Sequence, residues 1–212
     1  MDYFKFPKIS HLPWSNPSKD DKIIKSMSVL ENSVIVVTEK LDGENSAIYH
    51  DKIHARSVDS VDHDGRHFIK SFHAKIKYLL PDNIRLCIEN LYAKHSIAYD
   101  LLEEYHYLFG VFKDTEYVPF DEVIMWSSIV KIPMVPILYR GQYSEKVLRD
   151  LCENSKSQLG EEREGYVVRV SDHFFKKDFN THIAKYVRPN HVQTDEHWMN
   201  KKIIKNKLKG KG

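Results

Sequence analysis

Seven consecutive residues, Glu39-Lys40-Leu41-Asp42-Gly43-Glu44-Asn45, gather an amine, three carboxylates and an amide oxygen directly after the apolar run 34–37. β-Branched residues bounded by polar ones predict a buried strand, and Asp42-Gly43 predicts a turn at its end. Such a strand delivers Lys40 to the edge of an apolar wall. Loss of water there disfavours the ammonium form, and the uncharged amine is a nucleophile. Attack near neutral pH requires an amine that ionises well below the reference lysine value of about 10.4, so burial, a nearby cation or a metal must depress it. The bare pattern Lys-x-Asp-Gly also describes a hairpin turn beside a surface lysine, and its meaning depends on the rest of the chain.

Four further patterns follow in order. Arg56 lies in Ile53-His54-Ala55-Arg56-Ser57, and Glu89 ends the strand-like Arg85-Leu86-Cys87-Ile88. Phe109-Gly110-Val111-Phe112 forms an aromatic strand, and Glu164-Gly165-Tyr166-Val167-Val168-Arg169 precedes Ala184-Lys185-Tyr186-Val187-Arg188. Taken singly, Arg56 reads as a surface arginine, Glu89 as a salt-bridge partner and the phenylalanines as core. Their shared order behind Lys40 makes the set specific.

Positioning them falls to short strands at 34–38, 47–49, 53–57, 85–89, 107–112, 137–139 and 166–170. Helices are predicted at 71–80, where Phe72, Ile76, Leu79 and Leu80 share a face and Pro81 closes the run, and at 145–152 through Val147, Leu148 and Leu151. Strands interspersed with few helices, without a regular βα repeat, define an α+β pattern.

The 212 residues, 42% hydrophobic and 29% charged, suffice for one domain with a substantial core. That domain is expected over 1–189, with 190–212 a short basic C-terminal extension that is not an independent domain. The extension ends Asn-Lys-Lys-Ile-Ile-Lys-Asn-Lys-Leu-Lys-Gly-Lys-Gly, able either to touch phosphates or to fray in solvent. Cys87 and Cys152 are too few for a disulfide framework or metal cluster, which favours an intracellular, cytoplasmic setting. No segment approaches the roughly 18 apolar residues of a membrane span. A net charge of +2 does not by itself announce a nucleic-acid binder.

Two other features carry less. Ser60-Val61-Asp62-His63-Asp64-Gly65 opens like a calcium loop, but its twelfth position is Ser71 where a bidentate glutamate is needed, so a surface turn is expected. The 12 histidines lack a zinc spacing and have no cysteine pair to join them.

The ordered set resembles the covalent nucleotidyltransferases, the superfamily of ATP-dependent DNA and RNA ligases and mRNA capping enzymes. Asn45 places the resemblance in the RNA-ligase branch typified by the second RNA ligase of phage T4, which carries Lys-x-(Asp or His)-Gly-x-Asn. It spans residues 34–188. The resemblance implies two antiparallel sheets flanking a central nucleotide groove. It also implies sealing of RNA 5′-phosphate and 3′-hydroxyl ends, through lysyl-AMP and RNA-adenylate intermediates, with ATP and Mg2+, or Mn2+ in its place.

Residue roles carry over by motif. Lys40 becomes the nucleophile and Lys185 the cation that neutralises the α-phosphate. Glu39, Arg56, Glu89 and Phe112, with Phe109 as the alternative, join them at the nucleotide: arginine at phosphate, glutamate at ribose, aromatic ring on adenine. Asn45 and Glu164 would hold the metal's water shell. The branch has Lys-x-Lys where this chain has Lys185-Tyr186-Val187-Arg188; Arg188 would supply the second cation one position late, which needs a bulge or turn because strands alternate faces. A DNA ligase or a GTP-dependent capping guanylyltransferase is the nearer alternative, although the stretch after Pro189 has no room for the barrel those enzymes append. A non-catalytic RNA-binding module is the remoter one.

Overall fold

The computed structural model describes residues 2–15, 17, 21–60, 64–189 and 203–210. In chain order, these hold β1 (Ser10–His11), α1 (Ser28–Glu31), β2 (Val34–Lys40), β3 (Glu44–Ile48), β4 (Ile53–Ala55), α2 (His67–Ile76), β5 (Ile84–Asn90) and β6 (His106–Lys113). There follow β7 (Glu116–Tyr117), α3 (Phe120–Val130), β8 (Ile137–Gln142), α4 (Glu145–Glu153), β9 (Gly165–Val170), β10 (Phe174–Phe175), α5 (Phe179–His182) and β11 (Ile183–Val187).

The strands form two sheets, ordered β1-β11-β9-β2-β8 and β10-β7-β6-β5-β3-β4. The second is antiparallel throughout, as expected. The first departs from that expectation at its edge, where β1 runs parallel to β11. A parallel partner cannot come from a hairpin, and here it comes from the far N-terminal end of the chain.

Central strand β2 keeps Ile35, Val36 and Val37 fully buried, each worth about 1.5–3 kcal/mol of apolar burial. It runs two residues beyond the expected 34–38, so Lys40 is the last residue of the strand itself. Residues 41–43 then carry the chain from the first sheet into β3 of the second. A Cβ on Gly43 would lie 2.6 Å from the Asn90 carbonyl oxygen, so glycine is required for this close crossing.

Helices α2 and α3 cover the second sheet, with Ile69, Ile76, Val123, Trp126 and Val130 against Ile48, Leu86, Ile88, Leu108 and Val111. Helix α2 starts before the expected 71–80 span and ends at Ile76, continued by a 3-10 turn over Lys77–Leu79. Helix α3 has no counterpart in the sequence reading: Ile124, Met125 and Ile129 remain exposed opposite its buried face, which blurs the apolar period. Val61, Asp62 and His63 of the acidic turn, and residues 190–202, lie outside the described residues. Among the described residues, no helix is long and apolar enough to cross a membrane.

Candidate active site

Because β2 alternates faces, Thr38 and Lys40 turn toward the groove between the sheets while Ile35 and Val37 turn into the core. The groove encloses about 630 Å³. Lys40, Glu39, Asn45, Arg56, Glu89 and Lys185 all line it, brought together from both sheets. Lys40 Nζ donates to Glu164 Oε2 at 2.5 Å. Glu164 is 5% exposed, and the next residue, Gly165, pairs with Lys40 across β2 and β9. A Cβ on Gly165 would stand 2.0 Å from the Tyr186 carbonyl oxygen, so only glycine lets β11 pack this closely beside Glu164.

The expected fall in the Lys40 pKa is not what this arrangement produces. Burial lowers it, but Glu164, Glu89 and Asp42 together outweigh burial and hold the amine above its ordinary value. The reason is tertiary: carboxylates from β5 and from the residue before β9 converge on the lysine. Glu89 shows the reciprocal effect. Burial pushes its carboxyl up to about 8, against the pull of Lys40. Glu89 also accepts from the Gly43 N–H at 3.1 Å, tying β5 to the crossing.

Lys185 lies at the same groove wall, its pKa lowered by burial while Asp21, 3.9 Å away, works in the opposite direction. Asp21 also pairs with Lys8 at 3.1 Å and lies 3.4 Å from His11, whose pKa burial lowers. This N-terminal cluster was missed by the sequence reading, since no spacing links residues 8–21 to Lys185. Glu44, which also lines the groove, is held through both carboxylate oxygens by Arg66 Nε at 3.2 and 3.1 Å. Glu39 turns its own carboxylate to the loop before β9, accepting from Ser157 Oγ at 2.5 Å and Gln158 N at 3.2 Å.

Asn45 sits opposite Glu89 in the β3–β5 register, and its buried Oδ1 accepts no hydrogen bond from the described residues. An orphaned oxygen acceptor near a buried carboxylate fits a hydrated hard cation, which takes oxygen ligands and retains several waters. Among the described residues no three His, Cys, Asp or Glu side chains form a ready-made metal cage.

Two expected site residues lie elsewhere. Phe112 is fully buried in the core, packed by Phe4, Phe6, Tyr117 and Phe179 and by the Arg85 guanidinium. Phe109 lines the groove instead. The register slips opposite Cys87 and Ile88, leaving Phe109 as the unpaired extra residue of β6, and this bulge changes which aromatic reaches the groove. Arg188 is also absent from the lining: its Nη2 pairs with Glu162 at 2.7 Å and its Nε donates to the Arg163 carbonyl at 3.1 Å. No bulge interrupts the β9–β11 pairing, so a residue three beyond Lys185 takes the opposite face.

The two-sheet fold is shared with solved polynucleotide ligases. An apo form of a Naegleria gruberi RNA ligase variant superposes with a TM-score of 0.56 at 15% identity, covering 91% of this chain and 63% of that one. An archaeal ATP-dependent RNA ligase gives 0.56 at 16%, covering 87% and 48%, and a putative ATP-dependent DNA ligase from Aquifex aeolicus gives 0.53 at 20%, covering 88% and 54%. The present chain thus spans about half to two thirds of these proteins. The family profile described as RNA ligase matches residues 33–187, and the chain belongs to that family. No curated protein matches the sequence.

Proposed function

We propose that this protein is an ATP-dependent RNA ligase that joins 5′-phosphate and 3′-hydroxyl ends, with Lys40 as the covalent nucleophile. The observation that carries the reading is Lys40 at the groove, set between Glu164 and Glu89 and on the same sheet as Lys185. Support for the nucleotide comes from the family and from a Naegleria gruberi RNA ligase variant solved with ATP and Mn, similar at a TM-score of 0.54 and 14% identity.

In the first step, Lys40 Nζ forms a bond to the α-phosphorus as the bond to the bridging oxygen breaks, and pyrophosphate leaves with that electron pair. The amine must first give up a proton, and Glu164 is the acceptor within reach. Lys185 neutralises charge gathering on the α-phosphate, an electrostatic contribution made in the transition state. Arg56, exposed at the groove, meets phosphate or the RNA end with its planar fork. Glu89 accepts from ribose hydroxyls. Phe109 from β6 and Val167 from β9 offer apolar walls from opposite sheets for adenine. Asn45 and Glu164 would hold Mg2+, or Mn2+, whose chemistry when bound is to neutralise phosphate charge.

AMP then passes from Lys40 to an RNA 5′-phosphate, and a 3′-hydroxyl displaces it to seal the strand. DNA joining is the second reading, favoured by the likeness to the Aquifex aeolicus protein. Parallel assays with a nicked RNA and an all-DNA nick separate the two. Sealing of RNA with at most a tenth of that rate on DNA supports the proposal; equal or greater rates on DNA contradict it.

A further inference from the structure

The C-terminal segment 203–210 does not fray into solvent. It docks on the loop 91–102 between β5 and β6, pairing antiparallel at Ala93 and Lys205 and parallel at Leu102 and Leu208. Lys94 N donates to the Ile204 carbonyl at 2.7 Å, Lys207 N to Tyr99 at 2.9 Å and Lys209 N to Leu102 at 2.8 Å. At the centre stands Asn206, 4% exposed. Its Oδ1 accepts from Tyr99 N at 2.9 Å, and its Nδ2 donates to the carbonyls of Leu91 at 2.8 Å and Ala93 at 3.4 Å. One amide therefore fastens both ends of the stretch 91–99.

That stretch carries the supports of the residues just after Lys40. The Ser96 and Ile97 N–H groups donate to Asp42 Oδ2 at 2.8 and 2.9 Å, and the Asp42 N–H donates to the Tyr99 hydroxyl at 2.9 Å. The apolar side is continuous with it. Leu41 shares a cluster with Leu91, Ile97, Tyr99 and Leu102, and Leu208 packs against that cluster. Residues 41–43 are the crossing between the sheets, so the direction of Lys40 depends on where the crossing is held.

We propose that Asn206 is a positioning residue for Lys40: by fixing the 91–99 loop it fixes Asp42 and the crossing, and thereby the line of attack of the lysine on the α-phosphate. The segment 203–210 is then part of the nucleotidyl-transfer site rather than an appendage. This inference rests on the ligase reading for its catalytic half only. Nucleophile alignment is sensitive to displacements of about 1 Å, which can cost on the order of 100-fold in rate. The groove lining that contacts ATP is otherwise left in place, so the effect should fall on the chemical step and not on nucleotide affinity.

The test uses the full chain with Asn206→Ala and Asn206→Asp, the latter keeping the acceptor for Tyr99 N. Lysine–nucleotide adduct formation is followed against ATP concentration, with melting temperature and amide hydrogen exchange of residues 94–99 measured on the same samples. For Asn206→Ala the expected result is a fall of tenfold or more in the rate at saturating ATP. KM should stay within threefold, exchange at Ser96 and Ile97 should quicken at least tenfold, and Asn206→Asp should restore part of the rate. A rate within twofold of wild type with that loop opened would overturn the proposal, as would unaltered exchange. If Asn206→Ala fails to fold, Asn206→Asp carries the same comparison. Wild-type protein that forms no adduct sinks the ligase reading instead, while the exchange measurement still decides whether Asn206 holds the loop.

Discussion

Lys40 Nζ lies 2.5 Å from Glu164 Oε2, and the two residues are held at that distance by the pairing of Lys40 with Gly165 across β2 and β9. The nucleophile of the proposed reaction is thus an ion-paired ammonium before substrate arrives. Before attack is possible, the ammonium must give its proton to Glu164.

Neutralising that partner should release the amine. In Glu164→Gln the largest upward influence on Lys40 is gone and burial, which lowers its pKa, gains weight. Modification of Lys40 by an amine-reactive reagent, read by mass spectrometry as a function of pH, should shift its midpoint downward. Adenylylation should nonetheless slow, because the carboxylate proposed to accept the proton and to hold the metal is lost. A midpoint that stays put or rises would show that Glu164 does not set the lysine's charge.

Glu89 makes a prediction about stability. Its folded pKa, about 8, lies above the ordinary carboxylate value, so it favours folding fully below about 4.5 and loses that contribution as pH rises toward 8. Glu89→Gln should therefore match wild type near pH 4.5 and exceed it above pH 8. A gain of about 2 kcal/mol is expected, less than the full linkage value because the side chain is partly exposed and Lys40 shares its field. Denaturant melts at the two pH values measure this, and a constant difference between the proteins would contradict it.

The two phenylalanines of β6 should separate cleanly. Phe109→Ala, at the groove, should raise the KM for ATP by about tenfold at a loss of about 1–2 kcal/mol of stability. Phe112→Ala, in the core, should lose about 3–5 kcal/mol while the protein that remains folded keeps a KM close to wild type. The reverse pattern would return the stacking role to Phe112.

A comparable contrast holds for the two cations of β11 and its end. Lys185→Ala should slow lysine adenylylation by about 100-fold, the scale of a lost transition-state donor. Arg188→Ala removes an ion pair with half-exposed Glu162 and should cost about 0–1 kcal/mol, with labelling within threefold of wild type. A 100-fold loss in Arg188→Ala would mean that the side chain turns into the groove during catalysis.

Much of this architecture could be read from local pattern. The apolar-rich segments of β2, β5 and β9 each bury one stripe or both, and their composition declares them. The alternation of β11 likewise shows in sequence why Arg188 does not share a face with Lys185. What stayed hidden was set across the chain. The bulge that brings Phe109 to the groove has no signature in its own residues, since it depends on how β5 and β6 align. Two-residue strands such as β1 and β7 are too short to leave a period. The charge of Lys40 depends on Glu89 and Glu164 arriving from distant strands, so sequence could supply its burial but not the carboxylates that oppose it. Asn206 reads as one polar residue in a basic tail until the fold places the 91–99 loop around it.

If Lys40 is the nucleophile, it takes AMP from ATP. Incubation of wild type and Lys40→Ala with α-labelled ATP and magnesium, beside α-labelled GTP, followed by a denaturing gel and peptide mapping, tests it directly. The expected result is acid-labile label from ATP on the peptide containing Lys40, absent from Lys40→Ala and at least tenfold weaker with GTP. Label that persists in folded Lys40→Ala, or a folded wild type that takes label from neither nucleotide, would contradict it.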